Sequence, residues 1–161
     1  FNIGELMDKP TYLTEEGLKK LKAELEELSG PVRLQLSQRL RAAIQMGDLS
    51  ENADYISAKE DQGFIEGRIQ ELTQLLGNVV IIEENDQAKD RVDIGSKITI
   101  QEPGEPEETY FLVGPQEADP AKGRISFSSP IGEALVGHKA GETVTANTPA
   151  GPIKFKIIDI Q

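Results

Sequence analysis

The chain contains no cysteine and a single histidine, His138, among its 161 residues. Without thiols there can be no disulfide, no thiolate metal site and no cysteine nucleophile, and the chain suits a reducing cytoplasm. One histidine cannot furnish a histidine-rich metal centre, and a triad built on it would have no second histidine in reserve. No apolar run approaches the ~20 residues of a membrane helix, and no segment reads as a signal peptide. Basic side chains are also scarce, 17 against 28 acidic ones, giving a formal charge of −11. An acidic field repels phosphate backbones, so any contact with nucleic acid must be local.

What the chain does have is two contrasting patterns. Up to about residue 77 it is rich in Leu, Glu, Gln, Lys, Arg and Ala, all good helix formers. Beyond about residue 95, β-branched residues alternate with Gly and Pro punctuation. A helix is expected to begin after Thr14, with Glu15 and Glu16 in its first turn, where the helix dipole favours acids. Leu18, Leu21, Leu25 and Leu28 then follow at spacings of three and four, a coiled-coil seam. Ser29-Gly30-Pro31 is expected to interrupt this helix, because proline lacks the N–H. It resumes at Val32 with Leu36, Leu40 and Ala43 or Ile44 on one side. The returning seam is Tyr55, Ala58, Gln62, Ile65, Ile69, Leu72 and Leu76. Two seams of similar length joined by a short bend imply an antiparallel pair. A return helix of about 25 residues spans roughly 38 Å, more than a small domain, so the pair projects as an arm.

The second part reads as short strands over 96–101, 109–113, 124–128, 143–146 and 153–160, the last two forming a hairpin. Pro130 suits the first position of a short helix over 131–136. The expected organisation is an N-terminal extension (1–10, given no function), an arm (11–78), a linker (79–95) and a compact α+β domain (96–161).

The bend itself, Gly47-Asp48-Leu49-Ser50-Glu51-Asn52-Ala53-Asp54-Tyr55, is where chemistry concentrates. Asp48 and Glu51 have capping-box spacing, with Asp48 capping the return helix and Glu51 reaching back. Capping leaves unexplained why Asn52, Asp54 and Tyr55 crowd the same end of so long an arm. The other reading is that the two carboxylates turn outward to hold a divalent cation or orient a water in a partner's site. Mg²⁺ is commonly held by one or two carboxylates plus substrate phosphates, so two acids complete such a site but cannot build one. Behind the bend, residues 28–47 contain no acid. Arg33, Arg39 and Arg41, with Lys59 and Arg68 on the return helix, are either ordinary solvated faces or a local patch that steers a nucleic-acid strand. Gly63 and Gly67, inside the seam helix, suggest close approach of another backbone.

These motifs together resemble the GreA/GreB family of bacterial transcript-cleavage factors, closer to its GreA branch. The resemblance rests on Thr14-x-x-Gly17-x-x-x-Leu21, on Gly47-Asp48-Leu49-x-Glu51-Asn52-Ala53-x-Tyr55, and on Gln62-Gly63-Phe64-x-Glu66-Gly67-Arg68-Ile69. It continues through Ser129-Pro130-Ile131-Gly132-x-Ala134-Leu135-x-Gly137 and Thr148-Pro149-x-Gly151. It implies an antiparallel coiled-coil hairpin followed by an FKBP-like α+β domain. It further implies a monomeric elongation factor, not itself an enzyme, whose arm enters the secondary channel of RNA polymerase and stimulates cleavage of backtracked RNA. By the same resemblance Asp48 and Glu51 help hold the second Mg²⁺ and an attacking water at the polymerase's centre. Asn52 and Tyr55 shape the tip or contact the RNA 3′ end, Lys59 meets that end, and Ser129, Pro130 and Ile131 dock on the polymerase. The alternatives are a channel-binding inhibitor without cleavage, a prolyl isomerase using Tyr110, Phe111, Phe127 or Phe155, and an adaptor whose tip is only a cap.

Overall fold

A computed structural model describes residues 9–83 and 90–161, so most of the expected N-terminal extension and residues 84–89 of the expected linker lie outside the described residues. The chain divides into two compact units, one containing Leu18–Val79 and the other Thr11–Gly17 together with Val80–Gln161.

The first unit is a helical hairpin. Helix α1 (Glu15–Glu27) leads through a five-residue π turn, Leu28–Val32, into α2 (Arg33–Gln45), and α3 (Ala53–Leu76) returns. Thr14 opens α1 as expected, its Oγ1 accepting a hydrogen bond from the Gly17 amide (3.1 Å). The expected interruption at Ser29-Gly30-Pro31 takes the form of a π turn: the α-helix gives way over Leu28–Val32 and resumes at Arg33, one residue past the expected Val32. Glu27 and Arg33, on either side of the turn, keep helical φ values of −63° and −61°, and the Arg33 amide reaches back to the Leu28 carbonyl. A wider turn accommodates the proline ring and its missing N–H without ending the helix.

The return seam is buried where the spacing placed it. Ala58, Ile69 and Leu72 are buried, and Tyr55, Gln62, Ile65 and Leu76 are half-buried. On the outgoing side Leu36 and Ala43 are buried, and Ala43 takes the seam position while Ile44 faces solvent. Ion pairs run across the hairpin. Arg33 grips Glu66 with two hydrogen bonds (2.8 and 2.9 Å), Arg39 meets Asp61 (2.8 Å), and Arg68 grips Glu24 (2.7 and 3.0 Å). All six side chains are a third to a half exposed, so solvent screening leaves each pair little net stability. Their value lies in fixing which residues face each other.

The second unit is built on a five-stranded sheet. Its strands are β3 (Lys97–Gln101), β4 (Glu108–Val113), β5 (Arg124–Ser126), β6 (Thr143–Thr148) and β7 (Gly151–Ile160), in the order β5-β4-β3-β7-β6. Neighbours are antiparallel except β4 and β5, which run parallel with Leu112 opposite Ile125. The β6–β7 hairpin closes at Thr148 and Gly151, around the Pro149-Ala150 turn read from the sequence. Alternation along the strands sends Ile98, Ile100, Leu112, Val144 and Ile157 inward, where α4 (Pro130–Leu135) adds Leu135. Gly132 lets α4 pack this closely, since a Cβ there would lie 2.0 Å from the Ser126 carbonyl oxygen. Phe155 belongs to this core, Tyr110 and Phe127 pack against it, and Phe111 lies beside the Arg124 guanidinium.

Two short strands escaped the sequence reading, β1 (Thr11–Leu13) and β2 (Val79–Ile81), which pair with each other. At three residues each they are too short to show an alternation.

The expectation that Gly63 and Gly67 mark close approach of a backbone is also corrected. A Cβ at either position would meet nothing within 4 Å. Alanine costs less conformational entropy than glycine in a helix, so Gly63→Ala and Gly67→Ala are each expected to raise stability by about 1 kcal/mol in thermal or denaturant unfolding. A loss of stability on either substitution would contradict this open environment.

Candidate functional site

The tip of the hairpin runs from Met46 to Asn52. Helix α2 ends where Met46 and Gly47 donate to the Ala43 and Ile44 carbonyls (3.1 and 3.3 Å). Gly47 then turns the chain with φ +109°, a conformation in which a side chain would be strained. The cap of α3 is Asn52 and not Asp48, which corrects the capping-box expectation. The Asn52 Oδ1 accepts from the Tyr55 amide (3.0 Å), and its Nδ2 donates to the Ala43 carbonyl (2.7 Å). One side chain therefore starts the return helix and ties it to the end of the outgoing one. Asp-x-x-Glu and Asn-x-x-Tyr compete for the same turn, and only asparagine supplies both an acceptor for the cap and a donor for the facing helix.

Asp48 is consequently left in the loop. Its Oδ1 accepts from the Ser50 amide (3.0 Å) and the Ser50 hydroxyl (2.8 Å). Those two bonds, the hydroxyl first, hold its carboxyl below the usual aspartate range, so it is ionised throughout neutral pH. Glu51 is exposed and makes no hydrogen bond or ion pair among the described residues. Two carboxylates thus sit on one exposed loop, one oriented by a serine and one unengaged. No group of three His, Cys, Asp or Glu able to hold a metal occurs among the described residues. The tip offers hard oxygen donors suited to Mg²⁺, but two of them only.

The five basic residues behind the tip differ in what they meet. Arg33, Arg39 and Arg68 are engaged with Glu66, Asp61 and Glu24, and Arg68 also reaches Glu71 (3.2 Å). Lys59 lies 6.0 Å from the Tyr55 ring centroid and donates to the neutral Gln62 Oε1 (3.2 Å), and it makes no ion pair among the described residues. Arg41 is exposed and has no partner among the described residues.

In the second unit, Ser129 caps α4 by accepting from the Gly132 amide (3.1 Å) and donates to the Ser126 carbonyl (2.6 Å). Pro130 is exposed, while Ile131 is turned toward the core. Beside them a groove of about 280 Å³ is lined by Ser128, Pro130, Glu133, Ala134, Thr145 and Asn147, none of them aromatic. His138 is exposed, with its Nδ1 3.0 Å from Glu142.

One residue that the sequence reading passed over is Glu117. Its carboxylate accepts from the amide and hydroxyl of Thr14, 103 positions away, and fills the space above Gly17. The only trace in the sequence is the Thr14-x-x-Gly17 pattern, which records one half of the contact.

Comparisons with known proteins come down on both halves of the chain. Residues 11–81 match the family described as Transcription elongation factor, N-terminal, and residues 87–161 match Transcription elongation factor, GreA/GreB, C-term. The chain is 45% identical over 157 residues to the transcription elongation factor GreA of Roseiflexus sp. (strain RS-1), covering 97% of this chain and 100% of that one. It is 47% identical over 156 residues to the GreA of Caldanaerobacter subterraneus subsp. tengcongensis, covering 96% and 99%. Among solved structures, GreA factor homolog 1 (Gfh1) of Thermus thermophilus matches at 27% identity and a TM-score of 0.43, covering 95% of this chain and 99% of that one.

The state of the tip can be tested directly. Ser50→Ala removes the hydroxyl and is expected to raise the Asp48 pKa toward the ordinary value of about 3.9, followed by NMR titration of its carboxyl carbon. An unchanged titration would show that the serine does not hold this carboxylate.

Proposed function

We propose a function on one premise: the chain belongs to the GreA/GreB family of transcription elongation factors, both halves of which it carries in order. It is a transcription elongation factor that acts on RNA polymerase. Our reading goes further, and makes it the activator of the polymerase's own hydrolysis of backtracked nascent RNA, working as a cytoplasmic monomer. The observation that carries this reading is the pair Asp48 and Glu51, exposed on one loop at the end of a hairpin whose return helix alone is 24 residues, about 36 Å long.

Asp48 and Glu51 are the residues that would hold Mg²⁺, together with ligands from the polymerase. When bound, that ion activates water and neutralises charge on the phosphodiester. The chain contributes three things of its own. Ser50 orients Asp48, whose carboxylate is ionised at neutral pH with or without the serine, so no proton has to leave before it can act. Glu51, with no competing partner among the described residues, is free to accept a proton or a water hydrogen bond. Asn52 engages both its oxygen and its nitrogen inside the hairpin, so we assign it, with Tyr55, to shaping the tip. Of the basic residues, Lys59 and Arg41 are left for the RNA end, because the other three face acids across the hairpin. We place docking on the polymerase at the start of α4, where Pro130 is exposed beside the groove.

The test is to add the chain to a stalled, backtracked polymerase complex with Mg²⁺ and follow RNA length. Asp48→Ala and Glu51→Ala are each expected to slow cleavage on the order of 10²-fold, the scale for losing one group that stabilises transition-state charge, while binding to polymerase persists. A double variant that cleaves like the original chain would refute the assignment. Slowed transcription without any cleavage would favour the inhibitor reading.

A further inference from the structure

Glu117 is poorly explained as an ordinary surface acid. It ends a single 3₁₀ turn, Pro115–Glu117, and its side chain is only 10% exposed. A carboxylate withdrawn from water must find partners, or the desolvation cost goes unmet. Glu117 finds them at the first turn of α1. The Thr14 amide donates to its Oε2 (2.7 Å), the Thr14 hydroxyl donates to its Oε1, and the Arg124 Nη1 lies 3.6 Å away. The positive end of the α1 dipole adds to the same attraction.

The surroundings are cut to admit this contact. A Cβ on Gly17 would lie 2.4 Å from the Glu117 carboxyl carbon, so only glycine leaves room for it. A Cβ on Gly114 would lie 2.4 Å from the Tyr12 carbonyl oxygen, so the turn that presents Glu117 can approach the strand before α1 only through another glycine. The Tyr12 ring meets Phe127 edge-on at 5.5 Å, and the Ile82 amide donates to the Leu13 carbonyl (2.7 Å). Thr11–Gly17 accordingly belongs to the compact unit of the sheet, although α1 runs on without a break to Glu27.

We propose that Glu117 is a positioning residue for transcript cleavage: its carboxylate clamps Thr14 and Gly17 and so fixes the root of the helix that leads to Asp48 and Glu51. This rests on the cleavage reading above. A clamp at the root acts on the tip through the rigidity of the helices, not through contact with RNA or metal. Small misplacements far from the reacting atoms are costly to a rate while leaving docking intact.

The experiment compares the original chain with Glu117→Ala, Glu117→Gln, Gly17→Ala and the Glu117→Ala/Gly17→Ala double variant. Each is titrated against a backtracked polymerase complex, and melting of the sheet domain is checked alongside. Glu117→Ala and Gly17→Ala are each expected to lower the maximal cleavage rate at saturating factor by about tenfold, with half-saturation within about twofold of the original. Glu117→Gln keeps an acceptor for the Thr14 amide and should recover part of the rate. Gly17→Ala acts by expelling the carboxylate, so it should add nothing in the Glu117→Ala background. An undiminished maximal rate in Glu117→Ala would overturn the proposal, as would a loss confined to half-saturation or additive losses in the double variant. If the original chain stimulates no cleavage, the cleavage reading fails first, and this inference falls with it.

Discussion

The two sides of the helical hairpin bury one seam between them, and that limit shapes the rest of the arm. The seam of the hairpin contains small residues, Ala43 and Ala58, beside Leu36, Ile69 and Leu72, so the helices can lie close but remove little apolar surface from water. Hydrophobic burial alone would leave their register weakly determined. The paired charges supply what the seam lacks, since Arg33, Arg39 and Arg68 each have one acid to meet on the opposite helix. Exposed pairs add little stability, but a slip of one turn would break all three together.

The ends of the hairpin need closure of a different kind, because backbone groups there lose their helical partners. At the tip Asn52 provides it with one amide group, capping α3 and holding Ala43. That division of labour frees Asp48 and Glu51 from capping α3, although Asp48 still holds the loop through Ser50. An acid that caps a helix is committed to backbone amides and is a poor ligand for anything else. At the start of α1 the acid that does face the helix end is Glu117, supplied from far along the chain.

Much of this was legible in the sequence, for identifiable reasons. The seam from Tyr55 to Leu76 was readable because burial follows a spacing of three and four. Thr14 was readable because a cap and the amide that donates to it lie within one turn, and the strands because glycine and proline bracket them. The misreadings and omissions share a cause as well. Asp48 and Asn52 are both good caps, and only the position of the Ala43 carbonyl on the other helix decides between them. Ser29-Gly30-Pro31 marks where the α-helix gives way, but not that a π turn carries the chain through. That the arginines meet acids could not be read locally, because those acids lie 22 to 44 positions away. Glu117 was invisible for the same reason at greater distance.

The central claim is that the tip supplies half of a Mg²⁺ site whose other half belongs to RNA polymerase. It is tested most directly by measuring the Mg²⁺ dependence of transcript cleavage in a backtracked complex, with and without the chain. Two added carboxylates should lower the half-saturating Mg²⁺ concentration, and Asp48→Asn/Glu51→Gln should return it to that of polymerase alone. A Mg²⁺ requirement that the chain leaves unchanged, or a decrease that survives the double substitution, would contradict the account.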